Sequence, residues 1–439
     1  MSPSLYEFQE RTVKRIIKAG GTHLVAFEMG LGKTPTAIEA LRRQGERNIL
    51  IVCPAVVRPH WEKEFDLWWP DHPEVQVLSK GKDFETITLG GIKITSYALA
   101  KHLEGLSDNF DSVVLDEVHM LKNSFSKRSK TFKTFLTSKH KRLLLSATPI
   151  TNEPKDLWNP LNLGWPCRFG TYWQFCFRYA LIEKNEYGMK AYGLDRENEK
   201  ELRRRLAEVC TRVTKAEVAH LLPPLRIVVE TIGSTKKEID YEKLETKANA
   251  RKVKATFDYA KLAVDGGVPH VAILTHLKDT ARELHKLCQK LGVPTCLITG
   301  DVPSDKRNGI LTRMGESTRG ITIATMHSVG VGVNALTYCN EILFAELYWQ
   351  PAVVIQAIGR FNRLSSNKAA IIRFLVTEGS IEEKIAYVLK RKMRDANKLL
   401  DKGSSDGKLL EAMGDAEMTQ QELIQHLMDV SVDMEDDYA

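Results

Sequence analysis

The chain has 439 residues, 43% hydrophobic and 27% charged, which allows two or three soluble domains and excludes fibrous and disordered classes. Seven scattered cysteines without a C-x-x-C pair argue against a disulfide framework or a zinc ribbon and fit a reducing compartment. The net charge of +7 is uneven: of 56 acids, nine follow Lys408 with no further Lys or Arg, leaving residues 1–408 at +16. No apolar run reaches the eighteen or so residues that span a bilayer, and the first residues lack the blocks of a signal peptide. An intracellular protein with a polyanion partner is expected.

Taken in chain order, His23–Phe27, Ile49–Cys53, Ile92–Thr95, Ser112–Leu115 and Arg142–Leu145 read as buried parallel strands. Helical patterns such as Thr34–Arg43 and Arg58–Trp68 separate several of them, so the fold class is α/β, a parallel sheet under helices. From Asn152 to Leu222 the pattern turns helical and aromatic, with Trp158, Trp165, Tyr172, Trp173 and Phe177, then a charged helix over Asn198–Lys215. These aromatics are weighed as core rather than as stacking platforms. Pro223-Pro224 breaks the run, 225–232 reads as extended, and Lys236–Lys261 as a helical connector. Strands are then expected at Val271–Thr275, Thr295–Thr299, Ile321–Ala324, Glu341–Phe344 and Ala370–Leu375. Helices are expected at Asp279–Leu291 and Val353–Phe361, with a basic C-terminal helix over Ile381–Leu400. The boundaries are a first lobe 1–150, an insertion 151–225, a second lobe 226–400 and an acidic, flexible tail 401–439.

Three groups of residues carry chemistry. Gly30-Leu31-Gly32-Lys33-Thr34 follows a strand and opens a helix, which turns backbone N–H groups toward a phosphate. Lys33 there reaches terminal phosphates, and the Thr34 hydroxyl suits Mg²⁺. The first glycine of G-x-x-x-x-G-K-T is missing, because Phe27 holds its place. Asp116-Glu117-Val118-His119 ends a strand, where Asp116 suits Mg²⁺ held through water and Glu117 suits a base for the attacking water. In Gln356 to Arg363, Arg360 and Arg363 stand three apart, so on a helix they share a face and neutralise a γ-phosphoryl group.

In this order the motifs resemble superfamily 2 helicase ATPases, and among them the Swi/Snf-related DNA translocases, from about Leu5 to Leu400. Leu5–Gln9 resembles the adenine-reading Q motif, with Gln9 as reader. Glu28–Thr34, including Met29, Gly30, Leu31 and Gly32, is similar to motif I. Cys53-Pro54 with Trp61 and Phe65 is similar to motif Ia, and Ile94–Tyr97 to motif Ib. Lys122-Asn123 after D-E-x-H, and Thr211–Lys215 with Leu222-Pro223-Pro224, are characteristic of the family. Ser146–Pro149 has the general superfamily form. Gly330–Asn334 resembles motif V, and Phe344–Arg363 the annealing-helicase branch that remodels replication forks, with Gly359 and Asn362 where that branch usually has Asp and His.

The resemblance implies two RecA-like lobes with a helical insertion, ATP and Mg²⁺ as ligands, and Gln356, Arg360 and Arg363 contributed from the second lobe. It also implies DNA contacts by Pro54, Thr95, Ser96, Lys122, Asn123 and Thr325. The cations between Lys122 and Arg142 are read partly as phosphate contacts. The expected protein is a monomeric motor on double-stranded or branched DNA, with replication or recombination proteins as further partners and no membrane. With no room for accessory domains, a bacterial, archaeal or viral source and a cytoplasmic location fit better than a nuclear one. A strand-separating DNA or RNA helicase and an ATP-gated binding switch stand as rivals.

Overall fold

The computed structural model describes residues 3–137, 139–147, 154–185, 188–192, 195, 197–215, 217–233, 250–330, 336–348, 351–361, 363–364, 369–378 and 382. Residues 236–249, Thr148-Pro149, 331–334, Trp349-Gln350, Asn362, most of the helix expected over 381–400 and the tail 401–439 lie outside them. The chain forms two units, the first ending at Lys215 and the second beginning at Ala216.

The first unit is built on a seven-stranded parallel sheet. Its strands are β1 (His23–Phe27), β2 (Asn48–Cys53), β3 (Val75–Val77), β4 (Gly91–Ser96), β5 (Ser112–Asp116), β6 (Lys141–Leu145) and β9 (Cys210–Val213). They lie in the order β3-β4-β2-β5-β6-β1-β9. Between β6 and β9 comes a hairpin, β7 (Leu181–Asn185) and β8 (Gly188–Tyr192). The helices are α1 (Glu7–Lys18), α2 (Lys33–Arg43), α3 (Arg58–Trp68), α4 (Lys127–Phe135), α5 (Trp158–Gly164), α6 (Tyr172–Tyr179) and α7 (Glu199–Val209). β1, β5 and β6 are buried at all or nearly all positions, which explains their unbroken apolar sequences.

Two expectations for the first unit are corrected. The helix predicted over Asn198–Lys215 stops at Val209, and Cys210–Val213 becomes an edge strand paired with β1, Ala26 facing Arg212. Two β-branched residues, Thr211 and Val213, favour the extended form there, and charge content alone conceals it. The segment 151–225 is therefore not wholly helical, since it also holds the hairpin. The aromatics expected in the core divide: Trp158 and Phe175 are buried with Tyr179, Leu161 and Leu202 in one cluster, Trp165 and Tyr172 are half-buried against it, and Trp173 and Phe177 are exposed.

The second unit repeats the architecture in six parallel strands: β10 (Leu225–Ile232), β11 (His270–Thr275), β12 (Thr295–Ile298), β13 (Gly320–Thr325), β14 (Glu341–Phe344) and β15 (Ala370–Thr377). Their order is β10-β15-β14-β11-β13-β12. Its helices are α8 (Ala250–Asp265), α9 (Lys278–Cys288), α10 (Ser304–Glu316), α11 (Met326–Gly330) and α12 (Pro351–Ile358). Glu346, just past β14, accepts from the backbone N–H of His276 and Leu277 at 2.8 Å each and from Thr280 Oγ1 at 2.5 Å. That carboxylate caps the start of α9 and ties two loops at one end of the sheet. Burial pushes its pKa upward against those hydrogen bonds.

Candidate active site

β1 ends at Phe27 and the chain turns through Glu28–Gly32 into α2. Gly30 and Gly32 make the turn in the left-handed region, at φ 84° and 77°. A Cβ at Gly32 would meet Gln9 Nε2 at 2.2 Å, so a side chain there would also displace the Gln9 amide. Gln9 Nε2 donates to Leu31 O at 3.0 Å, and its Oε1 accepts from Tyr6 N at 2.9 Å. Ion pairs fix this approach: Arg43 on α2 donates to Glu10 on α1 at 2.5 and 2.8 Å, and to Glu39 at 2.6 Å. The Arg43 hydrogen bond holds the Glu10 carboxyl below its usual range. Gln9 is thus placed on the turn that Met29, Gly30 and Leu31 form. Lys33 Nζ lies 3.3 Å from Phe27 O at the end of β1.

Asp116 and Glu117 emerge where β5 ends. Asp116 is buried, and burial, then the neighbouring Glu117 carboxylate, push its pKa up to about 6 against the Trp61 hydrogen bond and the Lys33 charge. That Lys33 acts on Asp116 shows the two expected phosphate and Mg²⁺ residues brought together. Trp61 Nε1 on α3 donates to Asp116 Oδ2 at 3.0 Å, and Tyr97 OH donates to the Asp116 carbonyl at 2.7 Å. Glu117 adopts φ 52°, ψ 53°, left-handed geometry that costs a side-chain-bearing residue about 1–3 kcal/mol and tends to occur at functional sites. Its Oε2 lies 3.3 Å from His119 Nδ1, which lies 3.2 Å from Ser146 Oγ.

Arg212 was expected only as part of a family segment, and the structure gives it a position. From β9 it donates to Ala26 O at 2.9 Å and Ala147 O at 2.7 Å, with Nη2 3.5 Å from Glu28 Oε1. Glu28 in turn accepts from Lys215 N at 2.8 Å. One guanidinium therefore spans the end of β1, the phosphate turn and the Ser146-Ala147 segment. Its signal in the sequence is an arginine between two β-branched residues, legible only once β9 is known to lie beside β1.

A magnesium ion takes one or two protein oxygens and keeps several waters. The Asp116 carboxylate and the Thr34 hydroxyl are donors of that kind. Among the described residues no cluster of three or more His, Cys, Asp or Glu could build a full cage.

In the second unit α12 ends at Ile358, not at Phe361, because Gly359 follows and glycine is a poor helix former. Arg360 and Arg363 therefore lie in the turn beyond the helix, both largely buried, with Arg363 Nε donating to Gly359 O at 3.2 Å. Gln356 is on α12, and its side chain lies outside the described residues.

The expected DNA contacts divide. Thr95, Ser96 and Thr325 are buried, and so is Pro54. The Thr95 hydroxyl donates to Leu78 O at 3.4 Å. These positions expose little side-chain surface. Lys122 is half-buried, 3.6 Å from Asp156, and Asn123 is exposed. Of the nearby cations, Lys139 pairs with Asp108, Lys141 pairs with Glu46, and Arg142 is buried against the Leu163 carbonyl. Lys127, Arg128, Lys130 and Lys133 remain exposed.

An SNF2-related domain matches residues 10–293, and a helicase conserved C-terminal domain matches residues 263–365. The chain belongs to the SNF2-related family. It is a helicase-like ATPase core, and its parallel-sheet units are those expected of that family. Similar proteins include a SWI/SNF-related matrix-associated actin-dependent regulator of chromatin subfamily A-like protein 1 of Xenopus laevis, 28% identical over 89% of this chain and 43% of that one. The DNA annealing helicase and endonuclease ZRANB3 of Bos taurus is 26% identical over 88% of this chain and 40% of that one. The chain thus spans less than half the length of these relatives. A solved Sulfolobus solfataricus SWI2/SNF2 ATPase core in complex with dsDNA aligns at 22% identity over 92% of this chain and 94% of that one, with a TM-score of 0.47. No helix among the described residues is long and apolar enough to cross a membrane.

Proposed function

We propose that the chain is a DNA-stimulated ATP hydrolase that tracks along double-stranded DNA and remodels forked or branched DNA. The observation that carries the chemistry is the grouping of Lys33, Asp116 and Glu117 at the ends of β1 and β5, with Glu117 held left-handed beside His119. In this reading Lys33 and the α2 N-terminus bind the β- and γ-phosphates, Thr34 and Asp116 orient Mg²⁺, and Glu117 accepts the proton of the attacking water. Mg²⁺ supplies charge neutralisation at the phosphates. Gln9 reads adenine from α1.

Arg360 and Arg363, with Gln356, neutralise charge on the transferring phosphoryl group. Because they belong to the second unit, hydrolysis requires both units to act on one nucleotide, which couples turnover to motion. Support for DNA as the track comes from the annealing-helicase relatives and from the exposed cations of α4. The reducing compartment that suits seven free thiols is the cytoplasm, or a nucleus in a eukaryotic host.

The test is ATP turnover on single-stranded, duplex, forked and four-way DNA and on RNA of equal length. Duplex and branched DNA should stimulate most. RNA as the best activator, together with unwinding of a plain tailed duplex, overturns the reading in favour of a strand-separating helicase.

A further inference from the structure

Four aromatic side chains among the described residues are more than about a third exposed, and three of them stand in one row. Phe125, 74% exposed, packs edge-on to Tyr172 with centroids 6.5 Å apart. Tyr172 meets Trp173 at 5.3 Å, and Trp173 meets Phe177 at 5.8 Å, the last two being 38% and 55% exposed. The row joins the loop after Lys122-Asn123 to α6, so it is continuous with the segment expected to meet DNA.

Its position is built. Phe125 N donates to Asn123 Oδ1 at 2.9 Å, and Ser126 caps α4 by accepting from Ser129 N. Thr171 and Gln174 cap α6 reciprocally. Beneath the row Trp158 packs edge-on to Tyr172 at 5.5 Å and donates Nε1 to Gly170 O at 3.1 Å. Rings anchored from below and bare above form a platform rather than a loosely packed core.

The electrostatics select the occupant. From Val118 to Asn152 the sequence has no Asp or Glu, and from Leu157 to Ile182 it again has none. Exposed Lys127, Arg128, Lys130 and Lys133 lie on α4, which begins two residues after Phe125. An apolar protein partner needs no such cationic border, whereas a nucleic acid strand needs both features: phosphates meet the cations and bases stack on rings. Within a duplex, paired bases are stacked on both faces and offer none to a ring. Unpaired bases offer one.

We propose that Phe125, Trp173 and Phe177 form a stacking site for unpaired bases, by which the chain distinguishes a single-strand/duplex junction from uninterrupted duplex. This rests on the DNA-tracking reading above, and it assigns junction preference to residues outside the ATP site.

The test uses the full chain and three probes: a blunt duplex, the same duplex with a single-stranded tail, and that tailed duplex with 2-aminopurine at the first unpaired position. Wild type should bind the tailed form more tightly and quench the 2-aminopurine. Phe125→Ala, Trp173→Ala and Phe177→Ala should each lower affinity for the tailed duplex about tenfold, abolish much of the quenching, and leave blunt-duplex affinity and blunt-duplex ATPase unchanged. Trp173→Phe and Phe177→Tyr keep a ring and should keep the preference. An unchanged tailed-to-blunt ratio in the triple alanine variant overturns the proposal and leaves the row to a protein partner. An equal loss on both DNAs also overturns it, because the row then serves the duplex or the fold. Failure of the motor reading is separate: it would show as blunt duplex that never stimulates wild-type ATPase, whatever the quenching.

Discussion

The indole N–H of Trp61 points at Asp116 and donates to its Oδ2 at 3.0 Å, so a residue of α3 orients the carboxylate that ends β5. Trp61 is fully buried, and the carboxylate it holds has little other solvation. Replacing it with Phe keeps most of the packing and removes the donor. The Mg²⁺ concentration for half-maximal ATPase should then rise several-fold, and stability should fall by about 1–3 kcal/mol for the acceptor left unpaired. Magnesium titration of turnover and urea unfolding read the two effects. An unchanged Mg²⁺ dependence would reduce Trp61 to a packing residue.

Lys33→Ala should abolish ATP hydrolysis, because no other cation of the phosphate turn replaces it. Glu117→Gln is the more informative change. The amide keeps the size and the left-handed backbone position but accepts no proton, so nucleotide and DNA binding should survive while turnover stalls. Single-turnover hydrolysis separates the steps. A Gln variant within threefold of wild type removes Glu117 from the role of base.

Much of this site was readable in advance because phosphate binding needs particular residue types at fixed spacing, and backbone turns need glycine. Lys33, Asp116 and Glu117 sit at strand ends that unbroken apolar runs announced. Trp61, Tyr97, His119 and Arg212 were visible only as members of motifs. Their roles depend on which strands are neighbours, and β9 beside β1 is a long-range pairing that no local pattern encodes. The burial of Thr95 and Thr325 escaped for the same reason: a polar residue at a strand end reads alike whether it faces solvent or core.

Arg360 and Arg363 lie past the end of α12, which stops at Ile358. Each Arg→Ala change should lower kcat by on the order of 10³ if the guanidinium acts on the transferring phosphoryl group. Both are largely buried, so Arg→Lys variants accompany them. Lysine keeps the charge but loses the planar fork, and should restore folding while recovering only part of kcat. Weaker ATP affinity with kcat intact would assign the arginines to ground-state binding.

The first strand carries a pH dependence of its own. His23 is fully buried at the start of β1, with Nε2 2.8 Å from Thr211 Oγ1 on β9. Burial, then the Arg15 charge, push its pKa down to about 4 from the ordinary 6.5. The folded state therefore holds the neutral ring, whereas the unfolded chain takes up a proton below the ordinary value. Stability is whole above about pH 6.5 and declines as the pH falls toward 4, by up to roughly 3 kcal/mol from this group. His23→Asn removes the titrating ring. Urea unfolding at pH 7 and pH 4.5 should show wild type losing about 2 kcal/mol more than the Asn variant across that interval. Parallel losses in the two proteins would place the acid sensitivity at other groups and leave His23 a spectator in the sheet.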